Sequence, residues 1–245
     1  MSMFFAQCKA EFIRLLRRKK TWFTSLLLPT ILYFVYDQSH GTGKFNGADI
    51  STYLLMAIAC FGLVMTSVNT LSVQFADERK QGWTRLLKMT PLPNSYYLSA
   101  KIVSQFIINL SSLVFLFLIG AFTQGVELSL WQWISCTVWI LLATIPFMTL
   151  GILIGTIRIV EIVQIISSLT MMLLSLLGGL LMPIQTLPHW LQKYAIWSPT
   201  YRLGQGAWDL IAGHSPHLQA VWILAGYAII FIGLATFIIK RQEAI

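Results

Sequence analysis

The residues able to do chemistry are few, and most of them crowd into one run. Asp77, Glu78, Arg79, Lys80, Arg85 and Lys88 stand close together, with Gly82 and Trp83 among them and Pro91 and Pro93 just beyond. Charges of both signs around one aromatic make ion pairs and a docking surface. Catalysis asks for more: a nucleophile beside a base, paired carboxylates or a metal cluster. Elsewhere those ingredients are scattered. Cys8, Cys60 and Cys136 lie far apart, two of them in apolar runs, which points to core packing rather than a disulfide framework or metal site. His40, His189, His214 and His217 fall in different loops, and only the last two are close. The stretch Gly41-Thr-Gly-Lys44 is too short for a phosphate-binding loop and follows no strand. No enzyme is expected in this chain, and no metal or cofactor.

The surroundings of the charged run set its meaning. Of 245 residues 56% are hydrophobic and only 11% charged, against about 25% charged in soluble domains. That balance places the chain in the integral-membrane class. Six apolar segments have the length to cross a bilayer: Thr21–Tyr36, Ile50–Val73, Tyr97–Phe122, Leu130–Ile157, Val160–Met182 and Leu218–Ile239. The first is short and contains Pro29; the fourth is long and contains Pro146, which predicts tilt or a kink. The basic start is long and no small-residue cleavage site comes after it, so it reads as a retained segment rather than a signal peptide.

Lysine and arginine orient the spans. All but three of the 17 fall before the first span, between spans two and three, just inside span three (Lys101), after span four or in the tail; the exceptions are Lys44, Lys193 and Arg202. The positive-inside rule then puts both termini in the cytoplasm of a cell with a single or inner membrane, and the net charge of +8 serves topology rather than nucleic-acid binding. Within residues 3–16, Phe4, Phe5, Cys8, Phe12, Leu15 and Leu16 recur at helical spacing, with Lys9, Glu11 and Arg14 elsewhere on the wheel. This predicts an amphipathic helix in the inner interface; a plain basic topology signal is the alternative.

No ionisable residue lies in the middle of a span. Lys101 and Glu161 sit near cytoplasmic ends, where they are expected to reach water. Ion-coupled carriers need intramembrane titratable groups, so energy must come from a partner. The neutral polar residues Asn69, Gln105, Asn109, Gln164, Ser167 and Ser168 either bond helices together or line a substrate path, with Gln105/Asn109 and Gln164/Ser168 each sharing a helix face. The charged run reads as a short helix, Gly82, then a second short helix closed by Pro91. Trp83, Leu86 and Leu87 form its apolar face, Arg85 and Lys88 its basic one. Such a face buries either in a partner's groove or against the bilayer. The longest external loop, 183–217, is rich in aromatics, which favour the membrane interface.

Two blocks carry a family resemblance. One is E-R-x-x-G-x-x-x-x-L-x-x-T-P-L-P, Glu78 to Pro93, departing from many members at Trp83, where they have Thr. The other is G-G-L-L-M-P-I-Q-T-L-P-x-W-L, Gly178 to Leu191, with Ser198-Pro199 after it. In this order and with six spans, the chain resembles the permease subunits of ABC-2-type exporters. The resemblance implies an all-α polytopic membrane protein forming a single permease domain over 1–245. Residues 1–20 would be an interfacial connecting helix, with Phe5, Phe12, Arg14 and Leu16 facing the partner. Residues 74–96 would hold a coupling helix docking on a separate cytoplasmic ATPase through Glu78, Arg79, Gly82, Trp83, Arg85, Leu86, Leu87 and Pro91. Residues 183–217 would carry short re-entrant helices of an outer gate, with Gly178, Gly179, Pro183, Leu187, Pro188, Trp190 and Pro199. Gln105, Asn109, Gln164 and Ser168 would be the candidate path. Two ATPase copies holding Mg-ATP and a second permease copy, identical or related, complete the expected assembly. It would export an amphiphile such as a drug, a peptide antibiotic or a lipid-linked molecule. A membrane sensor or immunity subunit binding a membrane-active peptide is the alternative.

Overall fold

A computed structural model describes residues 9, 11–14, 17, 19–40, 44–45, 48–82, 94–123 and 125–243. Among the described residues the regular structure is helical apart from a hairpin of two residues per strand, β1 (Lys44–Phe45) against β2 (Ala48–Asp49). The helices are α1 (Lys19–His40), α2 (Ile50–Met65), α3 (Leu71–Lys80), α4 (Asn94–Thr123), α5 (Leu130–Ala143), α6 (Ile145–Gly155), α7 (Val160–Leu177), α8 (His189–Ala195), α9 (Pro199–Ile211) and α10 (Leu218–Glu243). Among the described residues, five stretches are long and apolar enough to cross a membrane: Ile50–Lys80, Tyr96–Thr123, Leu130–Gly155, Val160–Leu177 and Leu218–Ile239. Helix α1 falls short of that standard. It is a full 22 residues but carries Thr21, Thr24, Ser25, Pro29, Thr30 and Asp37, so five spans rather than six stand on length and composition alone.

Helices α2 and α3 form one rod at the centre of the bundle. Every side chain from Leu55 to Val64 is buried, because α1, α4 and α9 all pack on α2. The two helices are joined by a π-helical turn, Thr66–Thr70. A π turn adds a residue to the helical repeat and rotates the helix beyond it. Here it aims Thr66 and Ser67 at α4 and Asn69 at α7. Helix α6 crosses this turn so closely that a Cβ on Gly151 would run into the carbonyl oxygen of Ser67. The expected kink in the fourth segment is present: α5 ends at Thr144, whose hydroxyl bonds back to Leu141 O at 2.7 Å, and α6 restarts with Pro146 in its first turn.

One expectation is corrected at the charged run. Residues Asp77 to Lys80 are not a separate short helix but the last turn of α3, which Gly82 ends with φ 76°. The second short helix, with Trp83, Arg85, Leu86, Leu87 and Pro91, lies outside the described residues, as do Phe5 and Leu16. Cys60 and Cys136 are free and buried, as core packing requires.

Candidate functional site

At the Lys80 end of the bundle, the last turn of α3 meets the start of α4 and the N-terminal segment. Glu78, only 3% exposed, accepts the Tyr97 hydroxyl at 2.6 Å and a charge-assisted bond from the Lys101 ammonium. Tyr97 and Lys101 are four residues apart on one face of α4 and so reach the same carboxylate. Glu11 and Arg14, from the helical residues 11–14, close the cluster. Arg14 is 3.0 Å from Glu11 and 3.7 Å from Glu78, and Lys101 is 3.8 Å from Glu11. Two acids and two bases thus sit together in a neutral, buried set. Next to it, Arg79 donates to Thr156 O at 2.8 Å, just past α6, and lies over the Phe75 ring. Lys80 and Glu161 pair at 3.6 Å, but both are exposed, so that contact contributes little.

This geometry corrects one expectation. Lys101 does not reach water; it is 3% exposed and bound to Glu78. Glu78 and Arg79 pair within the chain, so they link α3 to α4 and to the α6–α7 turn. In the N-terminal segment Glu11 is buried against Lys101, while Phe12 and Ile13 are exposed. The available signal in the sequence was Tyr97 and Lys101 at a four-residue spacing just inside an apolar run, with one glutamate upstream.

Midway along the rod lies a second polar cluster. Asn109 Oδ1 accepts from Thr66 Oγ1 at 2.9 Å and from Gln105 Nε2 at 3.0 Å, and its Nδ2 donates to Ser67 Oγ at 3.0 Å. Asn69 donates to Ser168 Oγ and accepts from Ser167 Oγ. Asn109 and Ser168 therefore bond helices together and Gln105 supports Asn109 from within α4, while Gln164 is exposed on α7.

At the opposite end, Gly178 caps α7, and a Cβ there would collide with Thr200. Gly179 turns the chain with φ 71°. Pro183 precedes a short 3-10 turn, Leu187 and Pro188 lead into α8, and Trp190 on α8 is 65% exposed. Pro199 opens α9 and is buried. Helix α9 then runs antiparallel beside α5: Trp139 Nε1 donates to Leu203 O, and Gln132 Nε2 donates to Ile211 O, each at 3.0 Å. Gly206 gives way to the Trp139 indole. Pairing with residues 132–139 sets α9 alongside the span rather than above it.

The family model described as "ABC-2 type transporter" matches residues 3–209. The chain belongs to the ABC-2 type transporter family. This ABC-2 permease is also 36% identical, over 100% of both chains, to the Bacillus subtilis (strain 168) protein named "Putative transport permease YvfS". It is accordingly a transmembrane subunit of an ABC transporter, a membrane protein whose family works with an ABC ATPase. The permease places its densest charge where the Ile50–Lys80 span gives way to the loop that carries the first sequence block.

Proposed function

We propose that this chain is the permease half of an exporter that moves an amphiphile outward, driven by separate ATPase subunits docking on the loop after Gly82. The observation that carries the reading is the buried Glu78–Lys101 contact with Tyr97, Glu11 and Arg14 around it. The loop leaves directly from the last turn of α3 and returns directly into α4. A push on it therefore reaches two spans and the N-terminal segment through one bonded set, without slack. Arg79, held on Thr156 O, passes the same movement to the α6–α7 turn. Trp83, Leu86 and Leu87 supply the docking face, with Arg85 steering register and Pro91 closing it.

In this reading α1 is a sixth span, with Lys19 and Lys20 at its inner end, and both termini are cytoplasmic. Helices α8 and α9 dip into the outer leaflet as a gate hinged on Gly178 and Gly179. Two permease copies, identical or related, and two ATPase copies binding Mg-ATP form the working unit. Exposed Gln164 and half-buried Ser168 lie on the face of α7 along which a substrate passes.

The deciding experiment is reconstitution of the permease with its ATPase in proteoliposomes. Candidate amphiphiles should stimulate ATP hydrolysis and accumulate on the side opposite the ATPase. Binding of such compounds without stimulation or flux would refute transport and leave a sensor subunit.

A further inference from the structure

We infer that the face of the bundle formed by α2, α8 and α9 is a binding site for an organic ammonium ion with an aromatic or apolar body. It lies far from the charged cluster. Tyr53 and Glu78 are on one helical rod, 25 positions apart, or about 37 Å at the helical rise. The inference goes beyond the transport reading and does not depend on it.

The site is a cup of about 450 Å³ between Tyr53, Gln192, Tyr201, Gln205, Trp208 and Asp209. A single water needs roughly 10–15 Å³ of such space, so the cup has room for an organic ligand. Its wall holds a rigid aromatic platform: Tyr53 and Trp208 stack with centroids 4.7 Å apart and planes at 16°. Stacked rings present negative faces that attract cations, and more so when partly desolvated.

Asp209 supplies the charge. It lines the cup and keeps 24% of its side-chain surface. Its Oδ2 is buried and accepts no hydrogen bond among the described residues, and His217 Nε2 is 4.0 Å away. Trp208 Nε1, in the same wall, is also buried without an acceptor among the described residues. Arg202, the other charge on this face of α9, is 4% exposed and donates to Gln205 Oε1 at 2.9 Å, while its Nε is buried without an acceptor among the described residues. Half-burying a carboxylate without donors is costly, and that burial raises the Asp209 pKa against the lowering pull of His217 and His214. A ligand N–H donated to the exposed edge of the carboxylate would offset the cost, and the platform would cover the ligand's body. A second, apolar cavity of about 150 Å³ shares Tyr53 and continues the wall through Leu54, Ala57 and Leu181, giving a longer ligand an apolar contact. An anion would meet Asp209 unfavourably, which sets the sign of the ligand.

The test uses the full-length permease in lipid nanodiscs, without ATPase, and two probes of matched shape: 4-phenylbutylammonium and 4-phenylbutanol. Binding is read by ligand-observed saturation-transfer NMR, with empty nanodiscs subtracted. The ammonium should bind about tenfold more tightly than the alcohol, the effect expected of one charge-assisted hydrogen bond. Asp209→Asn should abolish that difference, and Asp209→Glu should restore part of it. Tyr53→Leu should weaken both probes. Equal affinity of the two probes for the unmodified protein would overturn the inference, and this arm needs no variant to fold. An undiminished preference in Asp209→Asn would overturn it as well. Because no nucleotide or ATPase enters, failure here is distinct from failure of ATP-driven flux.

Discussion

The Tyr97 hydroxyl donates to Glu78 at 2.6 Å across the two ends of a loop that leaves one helix and enters the next. With Lys101 on the same carboxylate, the segment between α3 and α4 is clamped at its root. Any force applied to the loop therefore meets the bundle at Glu78.

Replacing Glu78 by Gln should be among the most destabilising single changes on this face. It leaves Lys101 buried beside Glu11 alone. Breaking one partner of a buried pair costs about 3–5 kcal/mol. The check is the thermal midpoint of the detergent-solubilised permease. Glu78→Gln combined with Lys101→Met should recover much of the loss, and the double variant's ATPase response should stay uncoupled even where its stability returns. Additive losses in the pair would contradict a shared site.

A different prediction concerns docking. Trp83→Glu together with Leu86→Glu should release the ATPase in a pull-down while the permease remains inserted and keeps its thermal midpoint. Retention of the ATPase by this variant would remove the docking face from the mechanism.

Asn109 should matter through its neighbours. Asn109→Leu orphans Gln105, Ser67 and one bond of Thr66 at once. Each interhelical bond in a membrane contributes about 0.6 kcal/mol, up to about 1.7, so a loss of about 1–3 kcal/mol is expected. Gly151→Ala should do at least as much damage, since its Cβ meets backbone rather than a movable side chain. Unfolding in mixed detergents measures both, and a neutral Gly151→Ala would mean that α6 does not lie this close to the π turn.

The pH dependence of Asp209 has a definite sign. Burial raises its pKa, so the folded chain keeps this proton to higher pH than the unfolded chain does. Its contribution is most favourable at low pH and declines as pH rises from the ordinary carboxylate value, about 3.9, through the raised one. His217 and His214 oppose the shift, while Arg202 is bonded to Gln205. The midpoint of Asp209→Asn minus that of the unmodified protein should therefore grow between about pH 4 and neutrality. A difference that is flat or shrinks with pH would show that the carboxylate is not desolvated in the fold.

Much of this molecule was legible in its residues because a bilayer leaves little choice: a long apolar run of this kind becomes a helix, and glycine or proline marks its end. The starts of α5, α7 and α10, the restart at Pro146 and the stop at Gly178 all come from that constraint. Helix α1 stands apart from the five clear spans because its own threonines, Pro29 and Asp37 lower its hydropathy.

The partners of the polar residues were another matter. Composition required that Glu78, Lys101 and Asn109 be satisfied somewhere, since buried polar atoms are costly when alone. It did not say by whom. The π turn at Thr66–Thr70 rotates the rod so that Asn109 finds Thr66 and Ser67, and the approach of the N-terminal segment turns Glu11 inward beside Lys101. Hydrophobic periodicity fixes which face of each helix avoids water. Only packing between helices distant in sequence decides which charges meet, and the cup beside Asp209 exists only once α9 has folded back against α2.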